Sequence, residues 1–158
     1  MSPFDPTLPD QARGRESPVF AALEQDLRDH RATIGVIGLG YVGLPLVLVF
    51  CEKGFDCIGF DVDESKVASL RAGKSYIGHI PSHQIQKMST AGRFEPTSDF
   101  SRLAEADAVL ICVPTPLTAD TEPDLSFVVE TTQTIARYLR PGQLVVLEST
   151  TYPGTTRE

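Results

Sequence analysis

The sequence lacks the features that mark proteins that bind nucleic acid, span a membrane or carry a secretory signal. Positive charge is not in excess: 14 Lys and Arg stand against 21 Asp and Glu, a net charge of −7. This balance argues against nonspecific binding to nucleic acid and against a polybasic membrane patch. The longest apolar run, Leu44–Cys51, is far too short to span a bilayer. No basic and then apolar segment opens the chain, so no secretory signal is indicated.

Cysteine and histidine are also scarce, with three of each. Cys51, Cys57 and Cys112 are odd in number, form no C-x-x-C pair and lie in apolar segments, which predicts buried, reduced thiols in a cytoplasmic protein. A catalytic thiol is the alternative, but no histidine or lysine directly flanks them. The histidines have no carboxylate or cysteine at ligand spacing, so no metal site is predicted. No Ser-His-Asp arrangement and no P-loop is visible.

What the sequence does contain is an alternation of strand and helix patterns over 158 residues. It predicts an α/β, Rossmann-like, doubly wound parallel sheet with strand order 3-2-1-4-5. We expect a flexible arm over residues 1–15, an extra N-terminal helix over 16–31 and a dinucleotide-binding domain over 32–158. The extra helix should pack outside the domain or against a partner subunit. The last residues are typical of a loop leading into a new helix, so we expect a piece of a longer protein.

The strand and helix patterns have these predicted bounds. Strands are predicted at Thr33–Ile37, Asp56–Asp61, Arg93–Thr97, Ala108–Val113 and Leu144–Glu148, the last two buried. Helices are predicted at Glu16–His30, Tyr41–Phe50, Glu64–Ala72, Ser82–Ser89, Phe100–Ala106 and Asp124–Leu139. Gly54 and Gly73 are predicted to end the second and third of these helices. The core side is predicted to hold Val67, Ala68 and Leu70 in the third helix, and Leu125, Val128, Val129, Ile135, Ala136 and Leu139 in the last.

The turn after the first strand carries the order G-x-G-x-x-G. Gly38 permits a sharp turn, Gly40 permits close approach of a pyrophosphate, and Gly43 permits tight packing of the next helix on the strand. The helix N-terminus then offers unpaired N–H groups and a partial positive charge to the phosphates. The buried strand before the turn and the apolar helix after it are the context that this motif requires. A glycine turn without a ligand is the alternative.

An acid stands where a dinucleotide site needs one. Asp61 ends the second strand, and its carboxylate can accept hydrogen bonds from both adenosine ribose hydroxyls. A 2′-phosphate would meet a like charge there, so NAD is favoured over NADP. A helix-capping role for Asp61 is the alternative. Lys66, one helical turn onward, either covers the adenosine edge or is a solvated helix lysine.

Two loops leave the carboxyl ends of the fourth and fifth strands, where ligands bind in an open parallel sheet. In the first, Val113, Pro114 and Thr115 form a stiffened turn whose hydroxyl could meet a ribose or phosphate. In the second, the hydroxyls around Thr150 would reach the nicotinamide half. A rigid turn and a threonine-rich helix cap are the respective alternatives.

Together these motifs resemble one known family. The segments Ile37–Pro45, Asp61–Asp63, Cys112–Leu117 and Glu148–Thr156 resemble those of the nucleotide-sugar 6-dehydrogenases, the UDP-glucose/GDP-mannose dehydrogenase family. The resemblance covers nearly everything from Ala32 onward. The segments Tyr76–Ile80 and Pro123–Ser126 look most like the branch that acts on UDP-N-acetylhexosamines, which includes the UDP-N-acetylglucosamine 6-dehydrogenases.

The resemblance implies an NAD-dependent double oxidation of a sugar C6 alcohol to a carboxylate, in the service of polysaccharide biosynthesis. It implies NAD, a nucleotide sugar and a homodimer of the full-length protein. It also implies a set of cofactor-binding residues: Gly38, Leu39, Gly40, Tyr41, Val42, Gly43, Asp61, Lys66, Val113, Pro114, Thr115 and Thr150. The family's catalytic cysteine, lysine and asparagine lie downstream of this chain, so it is expected to bind NAD without completing catalysis.

Two other functions remain open at the level of the sequence. One is the first domain of another two-domain NAD dehydrogenase, acting on a hydroxy acid, an acyl thioester, UDP-glucose or GDP-mannose. The other is a nucleotide-sensing domain without chemistry.

Overall fold

A sheet of five parallel strands forms the centre of the computed structural model, which describes residues 18–117 and 124–151. The strands are β1 Thr33–Ile37, β2 Asp56–Phe60, β3 Phe94–Thr97, β4 Ala108–Ile111 and β5 Leu144–Leu147. Their order is β3-β2-β1-β4-β5, and each neighbouring pair is parallel. The predicted Rossmann-like topology is therefore confirmed. The order reverses between β1 and β4, and a doubly wound sheet opens its ligand crevice at such a point.

Helices join the strands close to the predicted bounds. They are α1 Pro18–Arg28, α2 Gly43–Glu52, α3 Glu64–Arg71, α4 Ser82–Thr90 and α5 Ser126–Tyr138, with a short 3₁₀ helix at Phe100–Glu105. Gly54 and Gly73 follow α2 and α3 with φ of 97° and 68°. Glycine adopts this left-handed conformation without steric cost, and the two glycines confirm the predicted helix ends. Within the described ranges, no helix has the length and apolar character to cross a bilayer.

The core has two layers because side chains alternate along each strand. In β4, Ala108 and Leu110 pack into the layer that contains Leu44 and Val47 of α2, whereas Val109 and Ile111 pack into the opposite layer. Both faces of the sheet are therefore covered at β4, which confirms that this nearly all-apolar strand is buried. The same arrangement fixes the carboxyl ends of β1 and β4 side by side.

Three burial predictions were wrong. The fifth strand was predicted to be buried, but Leu144 and Val145 are 42% and 40% exposed, because β5 is the last strand in the sheet order and pairs with β4 alone. In α5, Val128 and Ile135 are buried as predicted, but Val129 is 50% exposed and Ala136 and Leu139 are exposed as well. In α3, Val67 and Leu70 are buried, but Ala68 is exposed, so its core face is narrower than predicted.

The extra helix α1 lies outside the two core layers, as predicted, and has no buried residue. Leu27 packs at the edge of the core, and Val19 lies against the turn before β5, where a Cβ on Gly142 would meet it at 2.9 Å. The predicted arm over residues 1–15 and the first predicted residues of the helix lie outside the described ranges. The proposed boundaries at residues 16 and 32 stay predictions.

Candidate functional site

A cavity of about 430 Å³ lies where the strand order reverses. Its wall contains six of the twelve residues predicted for the cofactor. These six are Gly38, Gly40, Asp61, Lys66, Val113 and Pro114. The remaining wall consists of Ile37, Val62, Phe100, Cys112, Phe127, Glu130, Thr131 and Thr134. The glycine turn, the end of β2 and the loop after β4 therefore converge on one site, as parallel strands that share a carboxyl edge require.

The three glycines of the turn have different surroundings. Gly38 has φ of 91°, and a Cβ there would meet the Cys112 carbonyl oxygen at 2.6 Å. A Cβ on Gly43 would lie 1.9 Å from the Gly38 carbonyl oxygen. A Cβ on Gly40 would meet nothing within 4 Å. Gly38 and Gly43 are thus required by the turn itself, whereas Gly40 leaves open space beside the backbone, which is the space that an approaching pyrophosphate needs.

Asp61 is buried, with 5% exposure, and its carboxylate is already engaged. Leu39 N–H donates to Oδ2 at 2.9 Å, and Asp63 N–H donates to Oδ1 at 2.9 Å. Asp63, not Asp61, is the N-cap of α3, where its side chain accepts from Ser65 N–H. Asp61 therefore ties the glycine turn to the end of β2 instead of capping the helix.

Lys66 completes this charged corner. Its Nζ lies 3.3 Å from Asp61 Oδ2, and its side chain is 36% exposed. Lys66 belongs to the cavity wall and is not a fully solvated helix lysine. A carboxylate has about four acceptor positions. With three occupied by Leu39, Asp63 and Lys66, a ribose diol that uses both of its hydroxyls would compete with Lys66 for Oδ2.

Other residues of the turn lie away from the cavity. Leu39 is completely buried, and Tyr41 and Val42 are exposed at the start of α2. Tyr41 is 76% exposed and stacks on His79 with ring centroids 6.2 Å apart. The segment around His79 therefore packs beside the glycine turn.

The two loops that leave the carboxyl ends of β4 and β5 are joined to each other by a hydrogen bond. Ser149 Oγ donates to the Val113 carbonyl oxygen at 2.7 Å, across the carboxyl ends of β4 and β5. Thr115 is half-buried and Thr150 is exposed, and neither contributes to the cavity wall described above. The predicted residues Tyr152–Thr156 lie outside the described ranges.

Three groups of residues near the site were not predicted. Phe127, Glu130, Thr131 and Thr134 recur at helical spacing i, i+3, i+4, i+7, a pattern that could have indicated a shared face of α5. Phe100 enters the wall from the 3₁₀ helix, and its ring lies 5.7 Å from that of Phe60. Tyr76 Oη donates to the Leu39 carbonyl oxygen at 2.6 Å, and no spacing in the sequence indicates this contact.

The cysteines have the predicted burial. All three are buried free thiols. Cys112 lies in the cavity wall, where burial and the Glu148 carboxylate raise its pKa to about 11. A hydrogen bond from Cys57 lowers the pKa of Cys51, but Cys51 lies at the end of α2 that is remote from the glycine turn. Among the described residues, no group of three or more His, Cys, Asp or Glu side chains could hold a metal ion.

Comparison with known proteins gives a family match and a set of relatives. Residues 32–158 match the model of the UDP-glucose/GDP-mannose dehydrogenase family, NAD binding domain. The UDP-N-acetyl-D-mannosamine dehydrogenase of Escherichia coli K12 is 39% identical over 127 residues, which is 80% of this chain and 30% of that protein. The UDP-N-acetyl-D-glucosamine 6-dehydrogenase of Pseudomonas aeruginosa is 34% identical over 125 residues, 79% of this chain and 29% of that protein.

Solved structures agree with the sequence matches. The ternary complex of the GDP-mannose dehydrogenase from Pseudomonas aeruginosa superposes with a TM-score of 0.76 at 31% identity, over 79% of this chain and 30% of that one. The chain thus spans less than a third of the length of these relatives.

Proposed function

This chain belongs to the UDP-glucose/GDP-mannose dehydrogenase family as an NAD-binding domain, and we propose that it holds the oxidant for the C6 oxidation of a UDP-N-acetylhexosamine. The observation that carries the proposal is the buried carboxylate of Asp61 at the end of β2. It shares one cavity with Gly38 and Gly40 and is bonded to the turn that they form. This acid beside a glycine turn is the chemistry that distinguishes NAD from NADP.

The residues fit the cofactor in three parts. The pyrophosphate would lie at the turn Gly38–Gly43, where Gly40 leaves room and α2 directs its positive end. The adenosine ribose would bind Asp61 and Lys66, and the adenine would enter the apolar wall beside Val62. The nicotinamide half would extend toward Val113, Pro114, Thr115 and Thr150. When bound, the cofactor would accept hydride from the sugar.

Two sets of observations support the identity of the sugar. The relative from Escherichia coli is named a UDP-N-acetyl-D-mannosamine dehydrogenase and the one from Pseudomonas aeruginosa a UDP-N-acetyl-D-glucosamine 6-dehydrogenase. The segment Tyr76–Ile80 resembles the same branch and packs on the glycine turn. Both names specify a UDP-N-acetylhexosamine, and they differ only in the epimer. The product would be the uronic acid, which serves polysaccharide biosynthesis.

We further propose that the chemistry needs residues beyond this chain. The relatives are more than three times as long as the matched segment. The three cysteines here are buried, and Cys112, the one in the cavity wall, has a raised pKa, so none is placed as a nucleophile on the sugar. The complete enzyme would act as a cytoplasmic homodimer.

The test has two arms. Calorimetric titration of the full chain should detect NAD binding, with NADP at least about tenfold weaker because its 2′-phosphate meets Asp61. The complete enzyme, given UDP-N-acetylglucosamine or UDP-N-acetylmannosamine, should release two NADH for each sugar oxidised, while the 158-residue chain alone should release none. Equal binding of NADP would contradict the role of Asp61. A complete enzyme inactive on both sugars would contradict the substrate.

A further inference from the structure

We propose that Tyr76 is a positioning residue that directs the Gly40 amide toward the cofactor pyrophosphate. The inference rests on the proposed function and extends it to a residue outside the glycine turn. Tyr76 lies between α3 and α4, far from the turn in sequence. Its hydroxyl nevertheless donates a 2.6 Å hydrogen bond to the Leu39 carbonyl oxygen, in the middle of the turn.

The Leu39 backbone is held on both sides. Its N–H donates to Asp61 Oδ2 at 2.9 Å, and its carbonyl accepts from Tyr76 Oη. Its side chain is completely buried against Gly59, where an added Cβ would meet Leu39 Cδ2 at 2.8 Å. The side chain and the N–H of Leu39 are therefore fixed by β2 and the residue that follows it, and its carbonyl is fixed by the segment between α3 and α4.

Fixing the Leu39 carbonyl also fixes the next amide. The Leu39–Gly40 peptide is trans and planar, so the Gly40 N–H points opposite to the Leu39 C=O. Because that carbonyl points to the Tyr76 hydroxyl, the Gly40 N–H points away from Tyr76. Gly40 belongs to the cavity wall, with open space where a Cβ would lie. The Tyr76 bond thus sets the direction of one of the donors that the pyrophosphate needs.

Tyr76 is itself well anchored. The next residue, Ile77, is buried, and so is Ile80, whose N–H donates to the Ile77 carbonyl at 2.9 Å. On the other side, Ser75 N–H donates to Ser82 Oγ at 3.0 Å, at the start of α4. The tyrosine is therefore attached to the core on one flank and to α4 on the other, as a positioning group must be.

The hydroxyl is also a permanent donor. Burial, together with the Asp61 and Asp63 carboxylates, raises the pKa of Tyr76 above its ordinary value. The phenol stays protonated in any ordinary buffer, and a phenolate, which could only accept, does not form. The hydroxyl therefore keeps the hydrogen that its bond to the Leu39 carbonyl requires.

The test is Tyr76→Phe, which keeps the ring and removes only the donor. The dissociation constants for NAD and ADP-ribose, which both contain the pyrophosphate, should rise about fivefold, a typical effect of one hydrogen bond. That for adenosine, measured by NMR titration, should stay within twofold, because adenosine has no pyrophosphate. The Gly40 amide resonance should shift, and Tyr138→Phe, which removes a hydroxyl from the end of α5, should change none of these quantities.

Two results would overturn the inference. One is unchanged NAD affinity in Tyr76→Phe. The other is an equal loss of affinity for adenosine and NAD, which would indicate a general disturbance of the site. The melting temperature of the variant without ligand checks that it is folded. Absence of NAD binding in the unmutated chain would instead contradict the proposed function, so the two failures are distinguishable.

Discussion

At the scale of single residues, the glycines of the turn separate folding from binding. Gly43 faces the Gly38 carbonyl so closely that no side chain fits, and Gly38 has a left-handed φ of 91°. Gly40 has neither constraint: its Cβ position is empty and its φ lies outside the left-handed range. The chain itself therefore does not require glycine at position 40, and the proposed ligand does.

This difference predicts opposite outcomes for two alanine substitutions. Gly43→Ala places a Cβ 1.9 Å from a backbone oxygen and should lower the free energy of unfolding by about 3 kcal/mol. Gly40→Ala should leave the free energy of unfolding within about 1 kcal/mol. It should nevertheless weaken NAD binding at least about tenfold, equivalent to about 1.4 kcal/mol. Urea denaturation and calorimetric titration of both variants measure this. Gly40→Ala with full NAD affinity would contradict a pyrophosphate at this turn.

Asp61 supports a second prediction at this scale. Asp61→Asn keeps the side-chain shape and removes the charge that opposes a 2′-phosphate. Its amide NH2 would face one of the two backbone N–H groups that now donate to the carboxylate, so the readout is the ratio of the two affinities, which a general disturbance of the site does not change. The ratio of the NADP to the NAD dissociation constant should fall about tenfold, since a hydrogen bond to a charged group contributes about 1.5–3 kcal/mol. The matched control is Asp63→Asn, two residues away at the N-cap of α3, which should leave the ratio unchanged. If both variants shift the ratio equally, the cause is the general charge of the corner.

At the scale of elements, local sequence patterns predicted the order and the ends of the elements better than they predicted which residues are buried. Periodicity and the handedness of crossovers predict the order of the strands and the site at the reversal between β1 and β4. Glycine residues mark the ends of α2 and α3. The apolar run Leu144–Leu147 equally suits a central strand or an end strand, and only tertiary pairing makes β5 the latter.

Dependence on tertiary packing also explains why some residues of the site were not predicted. Val129 is as apolar as Val128, but the rotation of α5 about its axis is set by the 3₁₀ helix and the strands on which it packs, so one valine is exposed and the other is buried. That rotation also brings the stripe from Phe127 to Thr134 to the cavity. The contact between Tyr76 and Leu39 joins segments 37 residues apart, and no local pattern encodes it.

One brace between elements supports a prediction of stability. Arg140, between α5 and β5, donates to the Ala104 carbonyl at 2.8 Å, to the Ala106 carbonyl at 3.1 Å and to Asp107 Oδ1 at 2.6 Å. Asp107 Oδ2 in turn accepts from Thr33 N–H at 2.8 Å, at the start of β1. This brace holds the amino ends of the strands, at the edge of the sheet opposite to the cavity.

Arg140→Met should therefore destabilise the fold without changing the site. The expected loss of unfolding free energy is about 1–2 kcal/mol. It is below the usual value for hydrogen bonds between charged groups because Arg140 and Asp107 are partly exposed. Arg140→Lys should recover little, since an ammonium cannot reproduce the planar fork. Arg137→Met, at the exposed end of α5, is the control. Chemical denaturation measures the loss, and a change in NAD affinity exceeding twofold would show that the brace extends to the site.

At the scale of the whole molecule, the net charge of the chain has the same sign as the charge of its cofactor. The chain carries a net charge of −7, and its cofactor is an anion. The attraction must then come from placed groups: the positive end of α2, the backbone amides of the turn and Lys66, which pairs with Asp61 at the cavity wall. The attraction from these groups acts over a few ångströms. The repulsion from the excess of acidic side chains acts over longer distances and is screened by salt.

The binding of NAD should consequently appear as stability of the whole fold. A ligand that binds only the folded chain, at 100 times its dissociation constant, adds about 2.7 kcal/mol. For a domain of this size the melting temperature should then rise by about 5–10 °C. Scanning calorimetry should show this rise with NAD and a smaller rise with an equal concentration of NADP. In Gly40→Ala the rise with NAD should be about half as large or less, because binding at least about tenfold weaker leaves at most about 1.4 kcal/mol, and the melting temperature without ligand should lie within about 4 °C of that of the unmutated chain. A rise of equal size in all three experiments would mean that NAD stabilises the chain from somewhere other than the cavity at the glycine turn.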